Sequence, residues 1–138
     1  MGRFDGVLLA SDFDNTLIYT EEALRTGKPV PPLSERNRAA LERFMAEGGR
    51  FAVATGRALA AFRKYAPLVP MNTPGIVCNG AALYDFAREE YLETATLDAS
   101  ARERGQAVLE HVPEVAVVAY HIDNVIHAVH PNEYTRQH

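Results

Sequence analysis

Val7-Leu8-Leu9-Ala10-Ser11-Asp12-Phe13-Asp14-Asn15-Thr16 is an apolar run with strand character that delivers two carboxylates, two positions apart, to its C-terminal end. Residues i and i+2 of an extended segment point the same way, so Asp12 and Asp14 can converge on one small polar pocket. Ligands of open α/β sheets bind just outside such strand ends. Two carboxylates held that close repel each other, and the pair persists if a cation neutralises it or if one member holds a proton. A hard cation such as Mg²⁺ suits the first arrangement, because it takes a few carboxylate oxygens plus water and substrate phosphate. The second supplies a nucleophile and an acid side by side. The plainer reading is that both acids end a strand and cap the next turn, although Asp is disfavoured in strands. A calcium loop is excluded by Thr16, Leu17 and Ala23, which stand where that pattern needs an acid or amide, a glycine and a glutamate.

Outward from this stretch, the first half reads strand, helix, strand, helix, strand. Ser34 can cap a helix over Glu35 to Glu47, whose Leu41, Phe44 and Met45 form a core stripe before Gly48-Gly49 stops it. Arg50 to Ala54 is a short buried strand, Ala58 to Ala66 a helix ended by Pro67, and Gly75 to Cys78 the next strand. Tyr19 to Pro32 reads as a polar connector, a loop or small flap over the site. Strands alternating with helices imply an α/β fold of parallel βαβ units. After about Asp85 the pattern changes. Glu90 to Thr94 reads as a short strand, and Asp98 can cap a helix to about Val112 with Val108 and Leu109 facing inward. Val115 to His121 and Val125 to His130 are β-rich runs joined at Asp123-Asn124, a pair suited to a tight antiparallel turn. His121, His127 and His130 invite a metal reading, but strand and turn positions account for them more cheaply.

Asp12-Phe13-Asp14-Asn15-Thr16-Leu17 resembles the first motif, D-x-D-x-T-L/V, of the haloacid dehalogenase superfamily of aspartate-nucleophile phosphatases. Val53-Ala54-Thr55-Gly56-Arg57 is similar to the second motif, an apolar strand ending in Thr or Ser. Cys78-Asn79-Gly80-Ala81 resembles the N-G-A segment of the Cof-like subgroup. The resemblance implies a Rossmann-like core over residues 1–86 and the first part of an inserted α+β cap domain over 87–138. It implies that Asp12 is the nucleophile that forms an aspartyl-phosphate, and that Asp14 is the general acid and then the base. Mg²⁺ would be held by the Asp12 carboxylate and the Asp14 backbone carbonyl. Asn15, Thr55 and Gly56 would bind phosphate, the last two at a helix N-terminus. Arg57, Asn79 and Gly80 would face substrate. Taken without the resemblance, Thr55-Gly56 is an ordinary N-cap and turn, Arg57 a solvated first-turn arginine, and Asn79-Gly80 a turn dipeptide.

The family's third motif, a downstream Lys, and its fourth, Gly-Asp-x-x-x-Asp, are not found before His138, and Lys64 lies in the wrong place to serve. The expectation is therefore the N-terminal part of a Cof-like phosphatase, or a truncated relative, inactive by itself. The substrate class expected is a small phosphorylated metabolite, a sugar phosphate first. A sugar phosphomutase of the same superfamily, or a non-catalytic phosphate-binding module, would carry the same three segments. With 47% hydrophobic residues the chain can form a core, and a net charge of −4 argues against a nucleic-acid partner. The single Cys78 is consistent with a reducing, cytoplasmic compartment, and no run approaches the ~20 apolar residues of a membrane span. A sheet cut after three strands leaves apolar edges to be covered by the remainder of a longer polypeptide or by a second copy of the segment.

Overall fold

A computed structural model describes residues 2–121, 125–132 and 135. Its first compact unit runs from Met1 to Thr94 and its second from Ala95 to His138. The division falls after Thr94, beyond the boundary expected at residue 86, because Glu90–Thr94 pairs back onto the first unit.

In the first unit, β1 (Leu8–Ser11) lies parallel to β2 (Arg50–Val53), with Leu8 opposite Arg50 and Ser11 opposite Val53. The connection between them carries α1 (Thr20–Thr26) and α2 (Glu35–Ala46). Parallel pairing requires such a crossover, because the chain must return to the end of the sheet from which it started. A single parallel bridge, Ala54 with Ile76, joins β2 to β3 (Gly75–Val77). From there β4 (Ala82–Asp85) and β5 (Glu90–Thr94) add antiparallel strands, with a register shift between Leu83 and Tyr84. The parallel half agrees with the sequence reading, whereas β4 has no counterpart in it.

The core gathers between sheet and helices. Phe13, Phe51, Val53, Phe62 and Val77 are fully buried, with Leu33, Leu41, Leu59 and Tyr84 around them. Phe62 meets Phe13 edge-on at 5.0 Å between ring centres and Phe86 at 5.6 Å, arrangements that suit the aromatic quadrupoles. Of the stripe on α2, Leu41 is buried, while Phe44 and Met45 are half-buried against the same cluster. The Ser34 hydroxyl accepts the Asn37 N–H at 3.2 Å, the cap expected from the sequence. Ser34→Ala should lower stability by ~1 kcal/mol. A thermal or urea midpoint indistinguishable from wild type would show that water satisfies this helix end equally well.

Three expectations are corrected. Tyr19 to Pro32 is not all loop: α1 forms there and buries Thr20 and Ala23, with Gly27 in the left-handed region closing it (φ 66°). The helix expected over Ala58 to Ala66 is one turn, α3 (Leu59–Phe62), followed by a separate 3₁₀ turn at Ala66–Leu68. Pro67 offers no N–H to prolong an α-helix through this stretch. β1, whose apolar run reads as a buried strand, is not one: among the described residues it pairs with β2 alone, and Leu8 is 62% exposed.

The second unit holds α4 (Ala101–His111) and the antiparallel pair β6 (Val117–Tyr120) and β7 (Ile126–Val129). The turn expected at Asp123-Asn124 lies outside the described residues. Leu109 is buried as expected, but Val108 is 49% exposed and does not face inward. Asp98 accepts hydrogen bonds from the N–H and hydroxyl of Ser100 just ahead of α4, which hold its carboxyl below the usual range. Among the described residues, no helix is long and apolar enough to cross a membrane.

Candidate active site at three strand ends

Parallel register places the C-terminal ends of β1, β2 and β3 side by side. The Ala54 N–H donates to Ser11 at 2.8 Å and the Thr55 N–H to Ile76 at 2.9 Å. Three short segments therefore emerge together: Asp12-Phe13-Asp14, Thr55-Gly56-Arg57 and Cys78-Asn79-Gly80.

After Ser11 the chain makes a tight loop. The N–H groups of Leu17 and Ile18 both donate to the Phe13 carbonyl, at 3.1 and 3.2 Å, and the Asn15 N–H returns to Ile18 at 2.8 Å. Asn15 turns the corner with a left-handed backbone (φ 57°), which Asn tolerates better than most residues. Phe13, between the two acids, is fully buried and fixes the loop to the core. Asp12 is left exposed, and the Thr16 hydroxyl donates to its Oδ2 at 2.9 Å.

Asp14 is held from two sides. Arg57 donates to it through Nε at 2.8 Å and Nη2 at 2.7 Å, and the Thr20 hydroxyl lies 2.5 Å from Oδ1. This fork geometry is the strong form of a carboxylate–guanidinium pair. The Asp14 hydrogen bond raises the Arg57 pKa above its already high value, against the opposing effect of burial. The guanidinium also sits over the Tyr65 ring at 4.9 Å and the Phe13 ring at 5.9 Å. Thus part of the cation that two neighbouring acids require comes from the protein itself.

On the second strand end, Thr55 is 4% exposed and its Oγ accepts the Arg57 N–H at 3.1 Å. This is a side-chain turn rather than a helix start, since α3 begins only at Leu59. A helix N-terminus at Thr55-Gly56, one of the sequence expectations, is therefore corrected. Gly56 faces the third segment closely: a Cβ there would stand 2.7 Å from Asn79 Oδ1, so a larger residue would displace the Asn79 side chain. Cys78 and Asn79 (both φ 54°) and Gly80 (φ 93°) are successive left-handed residues that fold the segment back. The Cys78 and Asn79 N–H groups are bonded to the carbonyls of Arg57 and Thr55, at 2.9 and 3.2 Å.

The structure thus brings Asp12, Asp14, Thr55, Gly56, Arg57, Asn79 and Gly80 to one place. Asn15 belongs to the same loop, but its N–H serves Ile18 and its side-chain oxygen accepts the Glu21 N–H at 3.1 Å, tying down the first turn of α1. The sequence reading missed Thr20 and Tyr65. Nothing local marks Thr20, whose role depends on an unforeseen helix, and Tyr65 is visible only as an aromatic downstream of Arg57. For a metal, the donors on offer are oxygens, the exposed Asp12 carboxylate foremost, which suits a hard cation that keeps several waters. Among the described residues, no three His, Cys, Asp or Glu side chains cluster as a metal site, the three histidines included.

Comparison with known proteins gives a consistent picture. Residues 9–138 match the haloacid dehalogenase-like hydrolase family. Among solved structures, 97% of the chain superposes on 45% of a haloalkanoate-superfamily phosphatase from Bacteroides thetaiotaomicron, with a TM-score of 0.71 at 18% identity. A subclass IIB sugar phosphatase of that superfamily aligns over 95% of this chain and 46% of its own, with a TM-score of 0.65 at 22% identity. A protein from Thermotoga maritima aligns over 94% of this chain and 46% of its own, with a TM-score of 0.56 at 24% identity. The chain therefore spans less than half the length of these structures, and at such identities the likeness concerns the fold. No curated protein sequence matches the chain.

Proposed function

Because the chain belongs to the haloacid dehalogenase-like hydrolase family, we propose that it is the phosphoryl-transfer half of a Mg²⁺-dependent phosphatase acting on a small phosphomonoester through an aspartyl-phosphate. The observation that carries this reading is the unequal treatment of the two acids at the end of β1. Asp12 is exposed and touched by one neutral hydroxyl, whereas Asp14 is gripped by Arg57 and Thr20. An exposed carboxylate is free to attack phosphorus in line, with the bond from phosphorus to the leaving oxygen breaking as the bond to Asp12 forms. A carboxyl fixed nearby is suited to protonate that oxygen and later to take the proton of the attacking water. Thr55, whose oxygen accepts the Arg57 N–H, keeps its own O–H as a donor for the phosphate.

Mg²⁺, held by the Asp12 carboxylate and the Asp14 backbone carbonyl, would neutralise the phosphate and align it. The second unit, from Ala95 onward, supplies the first part of a cap that selects the leaving group. A sugar phosphate is the substrate class favoured here, by analogy with the sugar phosphatase neighbour. The site is expected to work in the cytoplasm.

The test is phosphate release by the complete polypeptide containing residues 1–138, using 4-nitrophenyl phosphate and a panel of sugar phosphates. Turnover should require Mg²⁺, vanish with EDTA and return when Mg²⁺ is restored. Isomerisation of a sugar phosphate without release of free phosphate would point to a mutase instead, and tight phosphate binding without turnover to a non-catalytic module.

A further inference from the structure

Among the described residues two polar side chains are buried, Thr20 at 1% exposed on the first turn of α1 and Thr55 at 4% just past the end of β2. A buried hydroxyl needs a partner, and Thr20 finds it in Asp14 Oδ1 at 2.5 Å rather than in the backbone of its own helix. The first-turn N–H of Glu21 is taken by Asn15 Oδ1, which leaves the Thr20 hydroxyl to Asp14. Its mounting is fixed at three points. The β-branched side chain is restricted at χ1. The Glu21 N–H is bound by Asn15 Oδ1 from the same catalytic loop, and Gly27 closes the far end of the helix, with the Lys28 N–H bonded to Ala23. Loop and helix thus hold each other in place, with the hydroxyl aimed at one carboxylate oxygen.

Arg57 grips the same carboxylate, yet its chemistry differs. A guanidinium only donates, whereas a hydroxyl both donates and accepts. Thr20 can therefore keep its contact with Oδ1 whether or not that oxygen carries the proton, whereas Arg57 only donates and favours the ionised carboxylate.

Resting on the phosphatase reading above, we propose that Thr20 is the positioning residue for Asp14: its buried hydroxyl, carried by the first turn of α1, sets the orientation from which Asp14 passes a proton to the leaving oxygen. The proton moves from the Asp14 carboxyl to that oxygen as its bond to phosphorus breaks. Thr20 itself exchanges nothing.

The test compares wild type with Thr20→Val, which keeps shape and loses the hydroxyl, and Thr20→Ser, which keeps the hydroxyl. The readout is kcat/KM for a series of phenyl phosphates, because this ratio covers the steps up to phosphoryl transfer. 4-Nitrophenolate leaves without a proton, whereas phenol and 4-methoxyphenol need one. Thr20→Val should lose ~10–100-fold on the poor leaving groups, the scale of a misplaced catalytic group, and only a few-fold on 4-nitrophenyl phosphate. Thr20→Ser should restore the wild-type dependence on leaving group. Equal losses across the series, or none, would overturn the proposal. Should Thr20→Val unfold, Thr20→Ala against Thr20→Ser isolates the same oxygen with the same two outcomes. Wild type without turnover on any member would instead sink the phosphatase reading itself.

Discussion

Asp12→Asn should cut phosphate release by the complete polypeptide ~10⁴–10⁶-fold, the scale of loss when a covalent nucleophile is removed. An amide oxygen has neither the charge nor the basicity to displace a leaving group from phosphorus. The substitution also removes the negative oxygen that would contact Mg²⁺. Its structural cost should be small, because Asp12 is exposed and the side-chain hydrogen bond it accepts from Thr16, at 2.9 Å, can go equally well to an amide oxygen. Thermal unfolding at the wild-type midpoint with activity gone would place the loss in chemistry. Acid-quenched wild type exposed to ³²P-labelled substrate should retain label on Asp12, and the variant should not. Wild-type turnover by Asp12→Asn would end the nucleophile assignment, whatever the family.

Asp14→Asn should slow both halves of the reaction, by ~10²–10⁴-fold for general acid–base catalysis. Asn cannot protonate a leaving oxygen or deprotonate water, but it still offers an oxygen to Thr20 and Arg57. The loss should be greatest for leaving groups that need a proton. Because the second half also suffers, labelled aspartyl-phosphate should persist longer than in wild type with an activated aryl substrate. The variant also leaves the Arg57 guanidinium, 19% exposed in its side chain and stacked on Tyr65, without its counter-ion. Some loss of stability should therefore accompany the loss of rate. If kcat/KM for phenyl phosphate stayed at the wild-type value, Asp14 would have only a structural task.

On the proposed mechanism, whether a carboxylate attacks or relays protons is decided by its neighbours. Asp12 and Asp14 are chemically identical and two residues apart, yet one meets solvent and the other an arginine forty-three positions away. The pairing also explains why two acids tolerate each other at a strand end. Arg57 offsets one charge, and the exposed position of Asp12 lets water screen the other.

The sequence by itself determined the parallel α/β half, because period and punctuation are local properties. Apolar runs at Val7 to Ala10, Arg50 to Ala54 and Gly75 to Val77, a Ser34 cap and the Gly48-Gly49 stop each carry their structural meaning within a few residues. It also determined the three loop segments that meet, since a parallel sheet must bring its C-terminal strand ends to one edge. Tertiary structure alone decided what those segments do to one another. Arg57 turned from a solvated residue into the partner of Asp14, a contact that needs β1 and β2 in register. In the stretch after Tyr19, Glu21, Glu22, Ala23, Leu24 and Arg25 are good helix formers, but so short a helix is stable as α1 only because Thr20 and Ala23 gain burial and Asn15 satisfies its first turn. β4 and the division after Thr94 were likewise settled by pairing between Ala82–Asp85 and Glu90–Thr94. Strand pairing across a turn is a property of two segments together, and neither segment encodes it alone.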